Sequence, residues 1–568
     1  MATILILRRF VNASRFQGAS AVRAGMRGAA ADDLAYHPGS IRGSTRRFRM
    51  SRKLIKSTLL IGAITLISRI AGLVRDMTFA HLIGAGSGVA ADAFYVAFRV
   101  PNFLRRIFGE GAFSQAFVPV FSEYKTRNDA HATRVFVDHV AGVLAAVLLV
   151  VAVIGVLAAP LLVTVLAPGF LAVPEKFQLT VQMLRITFPY ILFISLVSMS
   201  AGILNTYGRF AVPAFTPVLL NLSLIGAALL LAPHMHIPVI ALAWGVAIAG
   251  VAQLLFQLPF LMRLRLLPRP KPAMHDEGVR RVFRLMAPGI FGVSVSQINL
   301  LIDTLLASFL ATGSVSWLYY SDRLMEFPVG VFGIALGTVI LPSLSVKHVR
   351  ASHEAFSHTL DWAIRLVLLV GFPATIGLII LRGPMLTTLF RYGAFGAHDV
   401  IMASRSLMAF AFGLTGFLLI RVLAPGYYSR QDTKTPVRIG VVALVSNMVL
   451  SLSLIYPLAH AGLALATSLS AYINAGLLLR GLLRQKVYRP GPGFGGYTAR
   501  LAVASLVMGA MLWWGAGALS SWLHDRALER VGRLAFWVVA GMLVYAGMLL
   551  LLGIRPRQLV LQKADGDE

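Results

Sequence analysis

From residue 56 to residue 554 one apolar stretch follows another, each near or above the roughly 20 residues that cross a bilayer. No intervening segment is long enough for a soluble domain. A backbone in hydrocarbon must satisfy its own polar groups, and uninterrupted apolar runs do so as helices. Loop signals place the stretches at 56–81, 90–122, 134–166, 180–206, 212–232, 238–262, 281–310, 315–346, 356–381, 402–428, 436–457, 461–483, 498–519 and 533–554. The expected fold class is an all-α polytopic membrane protein of about 14 spans. The chain is 57% hydrophobic and 13% charged, too apolar to cover a soluble protein's surface and far too apolar for disorder. A soluble enzyme is thereby excluded. With no cysteine there is neither a disulfide framework nor a thiolate site.

The net charge of +29 would suggest nucleic acid in a soluble chain. Against a bilayer it reports orientation instead, and no nucleic-acid partner is expected. Basic residues gather after even-numbered spans: Lys125, Arg127 and Arg134; Arg209; Arg263 to Arg284; Lys347 and Arg350; Arg430 to Arg438; Arg480 to Arg489; and Arg555 to Lys563. Connections after odd spans, such as 82–89, 233–237, 311–314 and 458–460, are short and nearly uncharged. The positive-inside rule therefore predicts cytoplasmic termini, as an even span count requires. Residues 1–49 hold nine arginines and no spanning run, a composition similar to an organellar transit peptide. Met50-Ser51-Arg52-Lys53 opens an ordinary cytoplasmic flank, so the leader is expected to be disordered or not translated.

The chain repeats itself. Phe94-Tyr95-x-x-x-Arg99 matches Leu318-Tyr319-x-x-x-Arg323, and Val118-Pro119 matches Leu341-Pro342. Tyr207-Gly208-Arg209 leads to Thr216-Pro217-Val218 as Tyr428-Ser429-Arg430 leads to Thr435-Pro436-Val437. Six spans separate the partners, which makes this a parallel repeat of the kind that builds two-lobed transporters. The expected organisation is an N-lobe at 50–262, a basic cytoplasmic linker at 263–284, a C-lobe at 285–489, and two added spans with a tail at 490–568.

Ionisable residues inside spans are costly, and here they are concentrated. Span 1 carries Arg69, Arg75 and Asp76; span 2 carries Asp92, Arg99, Arg105, Arg106 and Glu110; span 7 carries Asp303; span 8 carries Asp322, Arg323 and Glu326. At about 100° per residue, Asp92, Arg99, Arg106 and Glu110 share one stripe about 40° wide. Arg69 and Asp76 share a face likewise. Pro101 and Pro328 follow the arginines of the two stripes and are expected to bend their helices. An arginine excess facing a cavity favours an anion, phosphate above all. The alternative is internal pairing, Arg69 with Asp76 or Arg99 with Asp92, that locks the lobes. No Ser/His/Asp set or carboxylate pair reads as catalytic, the glycine run at 491–496 lacks a following Lys-Ser/Thr, and His234 with His236 reads as a solvated pair.

The motifs Ser68-Arg69-Ile70-x-Gly72-x-x-Arg75-Asp76, Asp92-Ala93-Phe94, and Arg99-x-Pro101-Asn102-x-x-Arg105-Arg106-x-Phe108-x-Glu110-Gly111-Ala112-Phe113 resemble the MurJ/MviN family of lipid II flippases. So does Gly313-Ser314-Val315-Ser316-Trp317-x-Tyr319-Tyr320-x-Asp322-Arg323-Leu324-Met325-Glu326-Phe327-Pro328, and the likeness runs from Met50 to about Gly553. The resemblance implies the multidrug/oligosaccharidyl-lipid/polysaccharide exporter fold, two six-helix lobes with two extra helices. It implies lipid II, the undecaprenyl-pyrophosphate-linked disaccharide-pentapeptide, as cargo, with cell-wall synthases and membrane lipids as partners in the inner membrane. Arg69, Arg75 and Arg323 match essential cavity arginines; Arg99, Arg105 and Arg106 join them as substrate-binding positions. Asp76, Asp92, Glu110, Ser316, Asp322 and Glu326 fall on cavity and gate positions. Some members hold sodium in the second lobe: Asp303, Asn447 and Thr467 fall on ligand positions, but Ser451 stands where a carboxylate is expected. Asn447 and Thr467 read equally well as interhelical hydrogen-bonding groups.

The function expected is flipping of lipid II by alternating access, without a cofactor and without enzymatic chemistry, driven by the membrane potential with sodium or protons as coupling ions. Rival readings are an exporter of another undecaprenyl-linked glycan, a cation-coupled drug exporter, and a non-transporting scaffold that recruits synthases through residues 263–284.

Overall fold

The computed structural model describes residues 52–86, 88–106, 112–127, 129–349 and 353–554, and every regular element among them is helical. The first half comprises α1 (Arg52–Ile83), α2 (Ala90–Arg105), α3 (Ala112–Arg127), α4 (Ala130–Leu157), α5 (Ala159–Leu166), α6 (Pro174–Thr187), α7 (Tyr190–Thr206), α8 (Ala211–Gly226) and α9 (Ile240–Arg263). The second comprises α10 (Glu277–Ser308), α11 (Ser314–Val349), α12 (His353–Phe390), α13 (Ala397–Tyr428), α14 (Lys434–Leu458) and α15 (His460–Arg484). Two added spans follow, α16 (Phe494–Ala516) and α18 (Ala527–Leu551), joined by the short α17 (Leu519–His524).

Local chemistry sets the helix ends. Asp129 accepts the Ala132 amide at 2.6 Å to start α4, and Asp276 accepts the Val279 amide at 3.0 Å to start α10. Span 3, expected as one run, breaks at Ala158 because Pro160 stands in the first turn of α5 and has no amide to donate upstream. Span 4 begins earlier than expected, at Pro174, and turns at Phe188-Pro189 between α6 and α7. The last span also starts early. Residues 527–532, read as loop because of their charge, are the first turns of α18, where the Glu529 carboxylate accepts the Arg526 amide at 3.0 Å. Span 2 is seen as α2 and α3; Glu110 lies outside the described residues, as does the basic leader.

Among the described residues ten helical segments are long and apolar enough to cross a membrane. The other four long segments, α1, α2 with α3, α10 and α11, are those that carry the intramembrane charges. Within the first half α8 lies between α1 and α9, α2 packs on α6, and α3 packs on α7. Within the second, α13 is central, flanked by α11, α12 and α15, while α14 lies on α15. α16 packs on α12, and α18 on both. The outer faces of α14 and α18 display Val441, Val445 and Val449, and Phe536, Met542 and Leu543, an apolar surface suited to lipid.

The repeat is not used symmetrically. α1 runs along α8, whereas its counterpart α10 makes its closest packing with α3 of the other half rather than with α14. The charged helices of both halves thereby come together at one seam.

Candidate functional site

Asp76 is the hub of that seam. Fully buried on α1, it accepts from Arg75 through Nε (2.9 Å) and Nη2 (2.6 Å) and from the Tyr319 hydroxyl (3.0 Å), all on Oδ1. Its Oδ2 accepts from Arg323 Nε at 2.7 Å, across the halves. Arg75 also donates to Asn221 Oδ1 at 3.1 Å, and Asn221 donates onward to the Ser68 carbonyl at 3.1 Å. Such a buried carboxylate is stable only when its lone pairs are filled, and these are. Tyr319 is held in place by Tyr95, whose ring stacks on it at 4.0 Å. Gly72 makes room: a Cβ there would lie 2.8 Å from Arg323 Nη2.

The remaining arginines differ in how far they are committed. Arg69 donates weakly to the Gly330 carbonyl at 3.5 Å, so it too reaches from α1 to α11. Arg105 bonds Asn102 on its own helix, and Arg106 reaches Gln297 of α10 at 3.1 Å. Arg99 has neither an ion pair nor a hydrogen bond among the described residues, although Asp322 and Asp303 lie within Coulomb range. Arg323 keeps 35% of its side chain accessible and has Glu326 only at 3.7 Å. The internal pairings weighed from sequence do not form: Asp76 takes Arg75 and Arg323 rather than Arg69, and Asp92 does not take Arg99.

Asp92 works elsewhere, at the end of the seam where α1 turns into α2. Its Oδ1 accepts the Ser316 amide (2.9 Å) and hydroxyl (2.6 Å), and its Oδ2 accepts the Gly313 amide and Lys176 Nζ, both at 2.8 Å. A side chain of the first half thus caps a helix of the second, α11. Beside it the Asp399 carboxylate accepts the Gly86 amide at 2.7 Å and Trp317 Nε1 at 2.8 Å, and the Ala394 amide donates to the His81 carbonyl at 3.0 Å. Gly86 and Gly313 touch backbone to backbone, since a Cβ on Gly313 would sit 2.8 Å from the Gly86 Cα. This end is a latch. At the opposite end the halves are tied by packing of α10 on α3, by Arg281 to Glu123 at 2.9 Å, an exposed pair of little worth, and by the partly buried contact of His139 Nδ1 with Asp276 Oδ2 at 3.0 Å.

Lys176, Asn221, Trp317 and Asp399 are site residues that sequence reasoning did not assign. Lys176 had a signal: it is a lone cation in the connection after span 3, on the side where, apart from the stretches around 382–405 and 524–533, connections are nearly uncharged. Trp317 stood within the second-lobe motif, and Asn221 had no signal beyond its residue type.

A family profile described as "Lipid II flippase MurJ" matches residues 79–531. The chain is 49% identical over 517 residues to a Vibrio cholerae protein named "Probable lipid II flippase MurJ", covering 90% of this chain and 98% of that one. The chain belongs to the lipid II flippase MurJ family. A Burkholderia cenocepacia member, named "Lipid II flippase MurJ", is 43% identical over 508 residues, 88% of this chain and 98% of its own. Among solved structures, a lipid II flippase MurJ in an inward closed conformation superposes with a TM-score of 0.73 at 26% identity, covering 87% of this chain and 98% of that one. An inward-facing multidrug transporter of the MATE family, at 14% identity and a TM-score of 0.62 over 76% of this chain and 98% of its own, shares the fold. Membership of a family of flippases makes this chain a multi-pass membrane transporter rather than an enzyme, built on the two-lobed exporter fold with two added helices.

The positions expected as sodium ligands from the resemblance do not assemble into one donor set here. Thr467 Oγ1 meets Asp303 Oδ2 at 3.4 Å, and Ser451 Oγ meets Asn447 Oδ1 at 3.3 Å, but among the described residues no hydrogen bond joins the two pairs. Among the same residues Asp303 Oδ1 is buried without a hydrogen-bond partner, and no three His, Cys, Asp or Glu cluster. One carboxylate with Ser451 in place of a second does not fit a resident cation.

Proposed function

We propose that this protein carries lipid II from the cytoplasmic to the outer face of the inner membrane by alternating access. The observation that carries the reading is the seam itself: Arg69, Arg75, Arg99, Arg105, Arg106 and Arg323 are set against Asp76, Asp303, Asp322 and Glu326, an excess of cations where the charged helices of the two halves meet. Guanidinium forks match the oxygens of a pyrophosphate, and in a site away from bulk water each contact is strengthened. Arg99 and Arg323 are the arms that receive the anion. Arg323 is fixed through Nε by Asp76, which leaves its Nη groups for phosphate, and Arg99 has no ion pair or hydrogen bond among the described residues that an anion must break.

The latch end faces outward in this scheme and both termini are cytoplasmic. The headgroup enters from the opposite end while Asp92 and Asp399 hold the outer end shut. Rocking the halves breaks the latch and lets the headgroup out, with Pro101 and Pro328 absorbing the bend. Moving net charge through the field couples the step to the membrane potential, at about 2.3 kcal/mol per charge per 100 mV. Coupling to protons is a further element of the proposal, since the sodium positions do not form one donor set, and synthases that consume the flipped precursor are its expected partners. The lobes are taken as 50–262 and 285–489 around the linker at 263–284.

The test is access of an externally added lipid II-cleaving enzyme to precursor in depleted cells complemented with wild type or Arg323→Ala. Cleavage in wild type and protection in the variant is the expected result. Equal cleavage in depleted and complemented cells would assign flipping to another protein and leave export of a different undecaprenyl-linked glycan to be tried.

A further inference from the structure

Away from the seam, at the end of the molecule opposite the latch, a cavity of about 390 Å³ lies between α12, the first turns of α16 and the end of α18. Trp362, Arg365, Pro492, Gly496, Tyr497 and Arg500 line it, and among the described residues no acidic side chain does. Its two cations are held differently. Arg365 is locked: Nε sits 2.6 Å from Asp361 Oδ2, Nη2 donates to the Gly491 and Pro492 carbonyls at 3.3 and 3.1 Å, and the rings of Phe494 and Tyr497 flank it at 5.5 and 5.2 Å. Asp361 is spent on that lock, since its other oxygen takes the Tyr488 hydroxyl at 2.8 Å and the Gly491 amide at 3.1 Å. Arg500, one turn along α16 from Tyr497 and Gly496, is exposed and has no ion pair or hydrogen bond among the described residues. Among the described residues its charge is uncompensated. The backbone between the cations is bare, because a Cβ on Gly493 or Gly496 would meet no atom within 4 Å.

We infer that this cavity binds the phosphate of an anionic phospholipid. The chemistry asks for a phosphodiester: a free guanidinium, a second guanidinium held rigid, and an open glycine floor suit a tetrahedral oxyanion. The position selects a lipid over a soluble phosphate. The cavity sits where the apolar α16 meets the basic connection bearing Arg484, Lys486 and Arg489, the depth of headgroups, with Trp362 and Tyr497 as interfacial aromatics. Beyond it α16 shows Val503 and Leu506 to the outside, a track for acyl chains. A bound headgroup would bridge α12 to α16 and fasten the added helices to the second half.

The experiment measures lipid retained on the purified full-length protein by native mass spectrometry, with phosphatidylglycerol and phosphatidylcholine offered in turn to wild type, Arg500→Ala and Arg500→Glu. Because Arg500 makes no ion pair or hydrogen bond among the described residues, both variants should melt with wild type when lipid-free. The expected result is phosphatidylglycerol retention reduced severalfold in Arg500→Ala and further in Arg500→Glu, with phosphatidylcholine unchanged. Undiminished phosphatidylglycerol retention in Arg500→Glu overturns the assignment. A separate arm adds inorganic phosphate: if it raises the melting temperature of wild type but not of Arg500→Glu while phosphatidylglycerol does nothing, the ligand is a soluble anion and the lipid assignment fails.

Discussion

Asp76 and Arg323 stand 247 positions apart in the chain, on α1 and α11, and meet at 2.7 Å with Asp76 fully buried and Arg323 partly open. Arg75 shares the same carboxylate but is itself buried and bonded to Asn221 and Tyr319 as well. The two arginines should therefore fail differently. Arg323→Ala leaves Asp76 paired with Arg75, so folded yield stays near wild type while flipping is lost. Arg75→Ala strips a buried network, at a cost on the order of 3–5 kcal/mol, so yield falls severalfold along with activity. Fluorescence-detected size exclusion, run beside the lipid II cleavage assay, separates the two.

Gly72→Ala sets stability against activity. In a helix interior alanine is favoured over glycine by about 0.5–1 kcal/mol, so the variant should melt no lower than wild type. The new methyl lies 2.8 Å from Arg323 Nη2, the movable end of a long side chain, and pushes the guanidinium off its line to Asp76. Flipping should drop while the protein remains well folded. A variant with wild-type flipping would show that the position of Arg323 is unimportant.

Asp92→Asn should loosen the latch. It removes the charge that pairs with Lys176 and weakens the cap on α11, where hydrogen bonds to a charged group are worth about 1.5–3 kcal/mol each. The chain has no native cysteine, so a single Ala85→Cys, at a fully buried position beside the latch, reports opening by reaction with a membrane-impermeant maleimide. Labelling should speed up by about tenfold or more in the Asp92→Asn background, the factor that 1.4 kcal/mol confers. Equal rates would mean that Asp92 does not hold this end shut.

Exchange of sodium for potassium should leave the melting temperature unchanged, because Asp303 with Thr467 and Asn447 with Ser451 form separate pairs. Ser451→Asp, which restores a second carboxylate on α14, is the variant in which a sodium-dependent rise is expected. A sodium-dependent rise in the wild type would show that the two pairs close around the ion.

Span number, the parallel repeat and the charged helices were legible because hydrophobic length and the cost of buried charge act on sequence directly. Pairing was not. The helical wheel put Arg69 with Asp76, but Asp76 chose its neighbour Arg75 and a partner from the other half, since long guanidinium arms reach across interfaces that a single helix cannot reveal. Asp92 shared a stripe with Arg99 and Arg106, yet it serves the open end of α11, a demand set by a helix more than 200 positions away. Breaks at Pro160 and Phe188-Pro189 were passed over because hydropathy stays high through them, although the prolines were there to read.

The cap on α11 is borrowed, and borrowing has a kinetic meaning. The carboxylate that completes the helix sits at one end of the seam, while Arg99 and Arg323 lie deeper along the same two helices and Asp76 beside Arg323 on α1. On the proposed mechanism, substitutions at the cap would act on how often the halves part, and hence on turnover, without touching the arginines proposed to receive the anion. Substitutions at those arginines would act on the concentration of precursor needed to fill the site. Rate and affinity would then be written on different turns of α2 and α11, and selection could adjust one while leaving the other as it was.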